Sequence, residues 1–460
     1  MSSEKLGYNT NVLKGNLGGA FDILSGSQGQ YSDFGIARRF GGSAAAYSLR
    51  DIGAMVGPVL RLRRSTDNVE VDVRLDGSGK VSLDSPIANV VEDTGGTGED
   101  GTTNASTLNG FLNSDVLTQN LKQGSASSIT VTRNFTDNPT DVLFTYPADG
   151  SNRFMNVSMD GYSDRFGKGT YDVSFNYEIV SSSAGTVKFT IEGSTEVSGD
   201  GTNNFTISGS GTFSGRGSIT QPKAVYFLGN STSDATVRIT NFSVTQVQTD
   251  AFVQTWYDQS GNGRNAIQNT ADNQPKIATD GSLDSALTFD GTNDFLQTTD
   301  QVLTGTQTGS NGLYIVANVT SGDSGYLAGS ADDGTGVGQS IYASHASSKF
   351  ILTEGLDATA ADRDTMNLTA GSDVLISACY NNNDPNTLQK NSSTTGYTDG
   401  GDSYTFTAGT KFTIGHRRRS VGVTAATNLT GTIKEVVAFD IDTTGDRADI
   451  QRDIQNYYNL

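Results

Sequence analysis

Four carboxylates stand where a polysaccharide-cleaving pair could be assembled: Asp258, Asp290, Glu354 and Glu435. A retaining glycosidase needs two carboxyls about 5 to 5.5 Å apart, one of them held protonated by its surroundings. Each of the four also has a plainer duty. Asp258 and Asp290 precede Gly-rich turns, Glu354 closes a strand pattern, and Glu435 falls on an outward polar position of one. The balance favours no catalytic residue, so the chain is read as a non-enzyme. Sugar capture without cleavage asks for less: an aromatic face beside Asn and Asp oxygens. Tyr162, Tyr226 and the loop Asn381-Asn382-Asn383-Asp384 supply such groups, with Asn382 and Asp384 as the polar ligands. Turn chemistry accounts for that loop equally well.

Other reactive side chains are few. Two histidines, His345 and His416, and one cysteine, Cys379, are too few soft or imidazole ligands for a zinc or haem site, and they exclude an intrachain disulfide framework. No cofactor and no metal are expected. Residues 92–104 (EDTGGTGEDGTTN) carry four acids without the alternating oxygen spacing of a calcium loop, and read as a solvated turn or linker. His416-Arg417-Arg418-Arg419 is the one basic cluster; it suits a phosphate or carboxylate, and suits equally a solvated hairpin or a neighbour's acids. Cys379 reads as a small buried hydrophobe and His345 as a loop residue. No P-loop, GxSxG or HExxH is present.

The elements that must position these groups are strands. Glycine is 55 of 460 residues, about 12% against an average of about 7%, while prolines number only 7 and charged residues 18%. Polarity spent on Gly, Ser, Thr, Asn and Asp implies many short strands joined by many turns. The charge balance, 31 basic against 50 acidic residues, gives −19 and argues against nucleic acid. No segment approaches the 18 or so apolar residues of a membrane span, and the N-terminus has no apolar run of the Sec type, so a reducing cytosol is expected for synthesis.

Residues 1–43 lack alternating apolar runs and read as an extended arm with one short helix near Gly19 to Leu24. SAAAYSLRDIG suits a helix of up to three turns, and Val69 to Leu75 with Val81 and Leu83 suits a hairpin turning at Asp76-Gly77-Ser78-Gly79. From 108 to 249 a strand-rich block follows. Its clearest strand places Tyr171, Val173, Phe175, Tyr177 and Ile179 on one face. The inward phase changes near Thr240 to Asn241, as a β-bulge would cause. A third block, from Ala251, keeps strand rhythm until GDRADIQRDIQNYYNL, whose Ile450 and Ile454 fit one amphipathic helix.

The most specific stretch is Trp256-Tyr257-Asp258-Gln259-Ser260-Gly261-Asn262-Gly263, followed by Gln274-Pro275-Lys276-Ile277 and Ala286-Leu287-Thr288-Phe289-Asp290-Gly291. Trp256 ends a strand, Asp258 can cap a turn, and Gly261 and Gly263 permit positive φ. This order resembles the laminin-G-like, concanavalin-type jelly roll of phage virion proteins. That module is related to the catalytic sandwich of family 54 α-L-arabinofuranosidases. Ala46-Tyr47-Ser48-Leu49-Arg50 and Gly57 to Ser65 resemble its opening, and Gly431 to Val436 with Asn456-Tyr457-Tyr458 its close.

The resemblance implies an all-β concanavalin/laminin-G-like sandwich over 44–107 plus 250–460. Residues 108–249 would be a second sandwich inserted in it, similar to carbohydrate-binding modules. It implies that Trp256, Tyr257, Asp258, Gly261, Asn262 and Gly263 are structural. It further implies a virion structural protein of a tailed phage: a capsid decoration, a head or tail fibre, or a baseplate appendage. Assembled in host cytoplasm, it would be joined to other virion proteins by the 1–43 arm, self-associate as a homotrimer and contact host-surface glycans, without membrane insertion. The alternatives are a dedicated carbohydrate-binding receptor-recognition protein and an arabinofuranosidase-type hydrolase. The adjacent cysteines of that hydrolase family cannot exist in a chain with one cysteine.

Overall fold

The structure, a computed structural model, describes residues 35–460 apart from internal stretches; the longest of these are 92–104, 160–168, 192–203, 331–338, 355–363, 399–410 and 417–427. The expected arm helix near Gly19 and the acidic stretch 92–104 therefore lie outside the described residues.

Strands dominate, as the composition requires. Eighteen of the described strands form one large sheet, which curls into two facing layers. The first layer runs from Ile87–Val91 through Glu70–Val73, Leu60–Arg64, Ala251–Trp256, Lys276–Thr279, Ser282–Asp290, Thr430–Phe439, Asn311–Val319 and Val374–Asn381 to Asp384–Lys390, each antiparallel to the next. The second comprises Ala266–Ile267, Leu296–Thr298, Phe412–Ile414, Gly325–Ser330, Gln339–Ser344, Lys349–Glu354 and Thr365–Asn367. Trp256 pairs with Ala266 and Thr255 with Ile267, so the layers join into a near-barrel. Alternation decides the rest. Leu62, Val253, Leu287 and Ile433 meet Leu296, Leu327, Ile341 and Phe412 in one buried core.

Segment Ser43–Ser48 is a strand, not the expected helix. Every residue in it is buried, because both faces are covered: Ala45 and Tyr47 enter the main core, while Ala46 turns outward under a helical layer. Burial on two sides overrides the helix preference of three alanines. Its neighbour across the sheet is Thr430–Phe439. The hairpin after Val69 also differs. Asp76 and Lys80 do close the turn, but Val81 donates to Leu49 O, and the strand that pairs with Glu70–Val73 is Ile87–Val91.

The outer face of Thr430–Phe439 and its neighbours is packed by helix Arg447–Tyr458, which the Ile450 and Ile454 spacing foretold, and by the short helix Ile36–Arg39. One buried network holds the long helix. Glu435 accepts from Arg50 Nε (2.8 Å) and Nη2 (3.0 Å), from Ser48 Oγ (2.8 Å) and from the Tyr458 hydroxyl (3.1 Å). Arg50 Nη2 also donates to Asp453 on the helix at 2.9 Å.

Strands from Asp115 to Val247 build a six-stranded and a five-stranded antiparallel sheet around a separate core. That core is aromatic: Phe175 lies 5.0 Å from Phe189, 4.9 Å from Phe213 and 5.2 Å from Phe227, centroid to centroid. The phase change is a bulge, as expected. Ser174 pairs with Ser243 but Asn176 with Thr240, and Asn241 has φ 50°.

The segments entering and leaving this sandwich run side by side. Thr249 N donates to Leu112 O (3.0 Å), and Asp115 and Val116 pair with Gln246 and Thr245. Helix Leu108–Asn113, at the entry, buries Leu108, Phe111 and Leu112 in the larger core. Arg64, wholly buried, donates to Phe111 O at 3.1 Å and lies 4.6 Å over the Phe111 ring.

Glu435→Ala should strand the Arg50 cation in a buried site. The expected loss is about 3–5 kcal/mol of unfolding free energy in a denaturant titration, as when one partner of a buried ion pair is removed. A loss below about 1 kcal/mol would show that the network is dispensable.

Candidate functional site

The Trp-Tyr-Asp segment turns its polar groups inward. Asp258, 1% exposed, accepts through Oδ1 from the N–H groups of Ala46 and Ser260 (both 2.9 Å). Its Oδ2 accepts from Ser260 Oγ (2.8 Å) and Arg264 N–H (3.0 Å). Trp256 is wholly buried with Nε1 on Ser48 O at 3.3 Å, and Tyr257 donates to Asp72 at 2.8 Å. Asn262 Nδ2 reaches Ser43 O and Ala44 O at 2.8 and 3.1 Å. Gly261 and Gly263 have φ of 89° and 73°, which lets the loop fold back over Asp258. This is a clasp across the sheet. All four acceptor directions of the carboxylate are already taken.

The other carboxylates are engaged too. Asp290 Oδ1 accepts from Thr292 N (2.7 Å) and Asn293 N (3.3 Å), closing an Asx turn. Glu435 is the buried acceptor described above. Glu354 ends its strand, and its side chain is outside the described residues.

The composition gave no hint of Asp294. It is 6% exposed, with Oδ2 accepting from Asp290 N at 3.0 Å. Burial, reinforced by the Asp290 carboxylate, pushes its carboxyl up to about 7. The spacing Asp290 to Asp294 was visible in the sequence, but its burial was not. Around it, Phe295 packs on the His416 ring at 5.2 Å between centroids, and His416 Nδ1 lies 2.6 Å from Asn428 Oδ1. Arg417 to Arg419 are outside the described residues. His345 is exposed on a turn, its N–H on Ser324 Oγ, and Cys379 is buried, with Sγ 3.3 Å from the Tyr314 hydroxyl.

The sugar-capture residues divide. Tyr162 and Asn382 lie outside the described residues. Asp384 opens an edge strand of the large sheet opposite Asn381, while Tyr226 belongs to the five-stranded sheet, so these two are not parts of one site. Tyr226 is central to its strand, Val225–Gly229. Val225 and Phe227 point into the aromatic core, and Tyr226 stands half-buried on the opposite face.

Register then aligns five residues across five strands. Lys122 pairs with Asn156, Asn156 with Tyr226, Tyr226 with Thr190 and Thr190 with Asn204. Thr190 Oγ1 donates to Asn204 Oδ1 at 2.5 Å. The side chains of Lys122 and Asn156 lie outside the described residues, and Thr190 is only 4% exposed, so the half-buried Tyr226 ring is the group that can stack a sugar, with the half-buried Asn204 two strands away. Sequence alternation sets Tyr226 and Thr190 opposite the core-facing Val225, Phe227, Phe189 and Ile191, but not in one row.

No family model matches this chain, and no curated protein matches it. Solved structures similar to it include a family 54 α-L-arabinofuranosidase soaked with a cyclic sulfate inhibitor: 15% identity, 45% of this chain, 51% of that one, TM-score 0.32. Another is an arabinofuranosidase complexed with arabinofuranosyl-α-1,2-xylobiose, at 16% identity over the same shares and TM-score 0.29. Trypanosoma rangeli sialidase is similar over 83% of this chain and 76% of that one, at 10% identity and TM-score 0.30. The likeness is distant and partial, and this chain spans about half the length of the arabinofuranosidases it matches.

The Asp294 carboxyl makes a pH signature. An ordinary aspartate near 4 in the unfolded chain gives up its proton while the folded one, near 7, keeps it. Stability therefore falls as pH rises from about 4 to about 7, by on the order of 3 kcal/mol. Asp294→Asn keeps an acceptor for Asp290 N and removes the ionisation. It should raise Tm at pH 8 and leave it unchanged at pH 4; equal shifts at both would refute the buried-acid account.

Proposed function

We propose that this chain is a non-enzymatic carbohydrate-recognition protein that captures glycans on the outer face of the five-stranded sheet. The observation that carries this is Tyr226, half-buried on the sheet face opposite the aromatic core and paired in register with Thr190, whose own neighbour is Asn204. A ring held on a strand can stack a sugar without rearranging the backbone. In this reading the near-barrel is a concanavalin-type jelly roll acting as carrier, and the second sandwich is its inserted recognition module. The engagement of Asp258 and Glu435 in buried structural bonds supports recognition over hydrolysis.

A second reading concerns where the module is displayed. Residues 36–40 are pinned: Ile36 and Phe40 are buried beneath the C-terminal helix, and Ala37 N donates to Ile52 O at 2.8 Å. Anchoring to a larger body is the role the sequence reading gives to the segment before this point. Helix Ile36–Arg39 and Ser43 belong to the fold, not to the extended arm expected over 1–43; we propose a tailed-phage virion as that body, with the part of the segment before Ile36 meeting other virion proteins and a homotrimer as the displayed form.

On a glycan array the intact chain should retain at least one saccharide class, and Tyr226→Ala should lose it at unchanged Tm. Retention of binding by that variant would move the site elsewhere, and silence across the array would end the recognition reading. Mass spectrometry of purified particles should find this polypeptide; intact virions without it would remove the display reading.

A further inference from the structure

We propose that Asn262–Gly263 is a modification site, at which opening of the Asp258 clasp lets the Asn262 amide deamidate and so bars the clasp from closing again. Three Asn–Gly pairs occur in the chain: Asn109–Gly110, Asn262–Gly263 and Asn311–Gly312. A glycine after asparagine leaves the following backbone nitrogen unshielded and free to swing toward the side chain. The fold separates the three. Asn109 lies in helix Leu108–Asn113, and Asn311, 3% exposed, begins a strand whose Gly312 pairs with Cys379 on one side and Phe439 on the other. Asn262 and Gly263 are exposed in a turn, and Gly263 N–H donates to none of the described residues.

The chemistry needs only water. The Gly263 backbone nitrogen, giving its proton to solvent, attacks Asn262 Cγ; the Cγ–Nδ2 bond breaks, ammonia leaves, and a succinimide ring closes. Water then opens the ring at either carbonyl, leaving aspartate or isoaspartate. A neutral amide has become a carboxylate, with no change of oxidation state.

In the closed clasp that path is blocked. Asn262 Nδ2 donates to Ser43 O (2.8 Å), Ala44 O (3.1 Å) and Ser260 Oγ (3.0 Å), so Cγ cannot turn toward Gly263 N without breaking those bonds. After reaction the way back is closed. A carboxylate has no proton to give to the Ser43 and Ala44 carbonyls, so oxygen would face oxygen. Asp258 already holds one buried charge in the same loop, and the cation at hand, Arg264, already donates to Ala44 O and Val302 O (3.0 and 3.2 Å). Isoaspartate also lengthens the backbone by a methylene between Gly261 and Gly263, whose φ of 89° and 73° fold the loop over Asp258. Strand Ser43–Ser48 thereby loses the ties at its first two residues.

The test incubates the intact chain at mildly alkaline pH, folded or unfolded in guanidinium chloride, and follows each asparagine by peptide mass spectrometry. In the folded chain Asn262 should deamidate faster than Asn109 and Asn311, yet about tenfold or more slower than in the unfolded chain, because reaction waits on local opening. Ser260→Ala, which removes one acceptor of the amide and two donors of Asp258 save the backbone one, should shorten that wait. The deamidated fraction, separated by anion exchange, and the Asn262→Asp chain should both melt a few degrees below the parent and exchange the Ala46 amide hydrogen faster. Equal rates at Asn262 folded and unfolded, or a rate in the folded chain no greater than at Asn109 and Asn311, overturns the site. A deamidated fraction with the parent's Tm and Ala46 exchange overturns the barred clasp.

Discussion

A single buried carboxylate ties the near-barrel together. Asp258 sits among four hydrogen-bond donors, three of them backbone N–H groups, on chain segments more than two hundred residues apart in sequence. A buried anion of this kind is costly unless every lone pair is met. The fold meets it by holding the strand at Ala46 against the loop at Ser260 to Arg264. That contact fixes the position of Ser43–Ser48, and hence of Ser48, Arg50 and the Glu435 network under the C-terminal helix. Moving any of these opens the cage around the carboxylate.

The near-barrel and the inserted pair of sheets solve the problem of a glycine-rich, weakly apolar chain in different ways. The larger spreads its core thinly over many Val, Leu, Ile and Ala positions, helped by helices on its outer side. The inserted one concentrates burial in a few stacked phenylalanines. The packed rings fix strand Val225–Gly229 from its inner side, and with it the position of Tyr226 on the outer one. The candidate site is thus a by-product of the core on its other side.

Period-two alternation made most strands legible, together with the bulge near Asn241 and the helix carrying Ile450 and Ile454. What alternation cannot carry is partnership. Ser43–Ser48 reads locally as helix, because the helical layer that covers Ala46 lies some four hundred residues away. The strand opposite Glu70–Val73 escapes the local pattern for the same reason: the turn at Asp76 forms, but Val81 joins Leu49 and Ile87–Val91 takes the place beside Glu70–Val73. At the site, Tyr226 stood out by residue type, whereas Lys122, Asn156, Thr190 and Asn204 joined it only through register. Arg64 is the extreme case, a cation in a strand of alternating Leu and Arg whose inward turn depends on the Phe111 carbonyl.

The paired stem between Leu112 and Thr249 also has a mechanical meaning. Tension on the inserted unit enters the larger one along two chain segments at once, helix Leu108–Asn113 and the segment at Thr249, both drawn in the same direction. Their mutual hydrogen bonds are therefore not sheared, and each segment bears half the load. Arg64, wedged beside Phe111 at the root, resists the stem being pulled free.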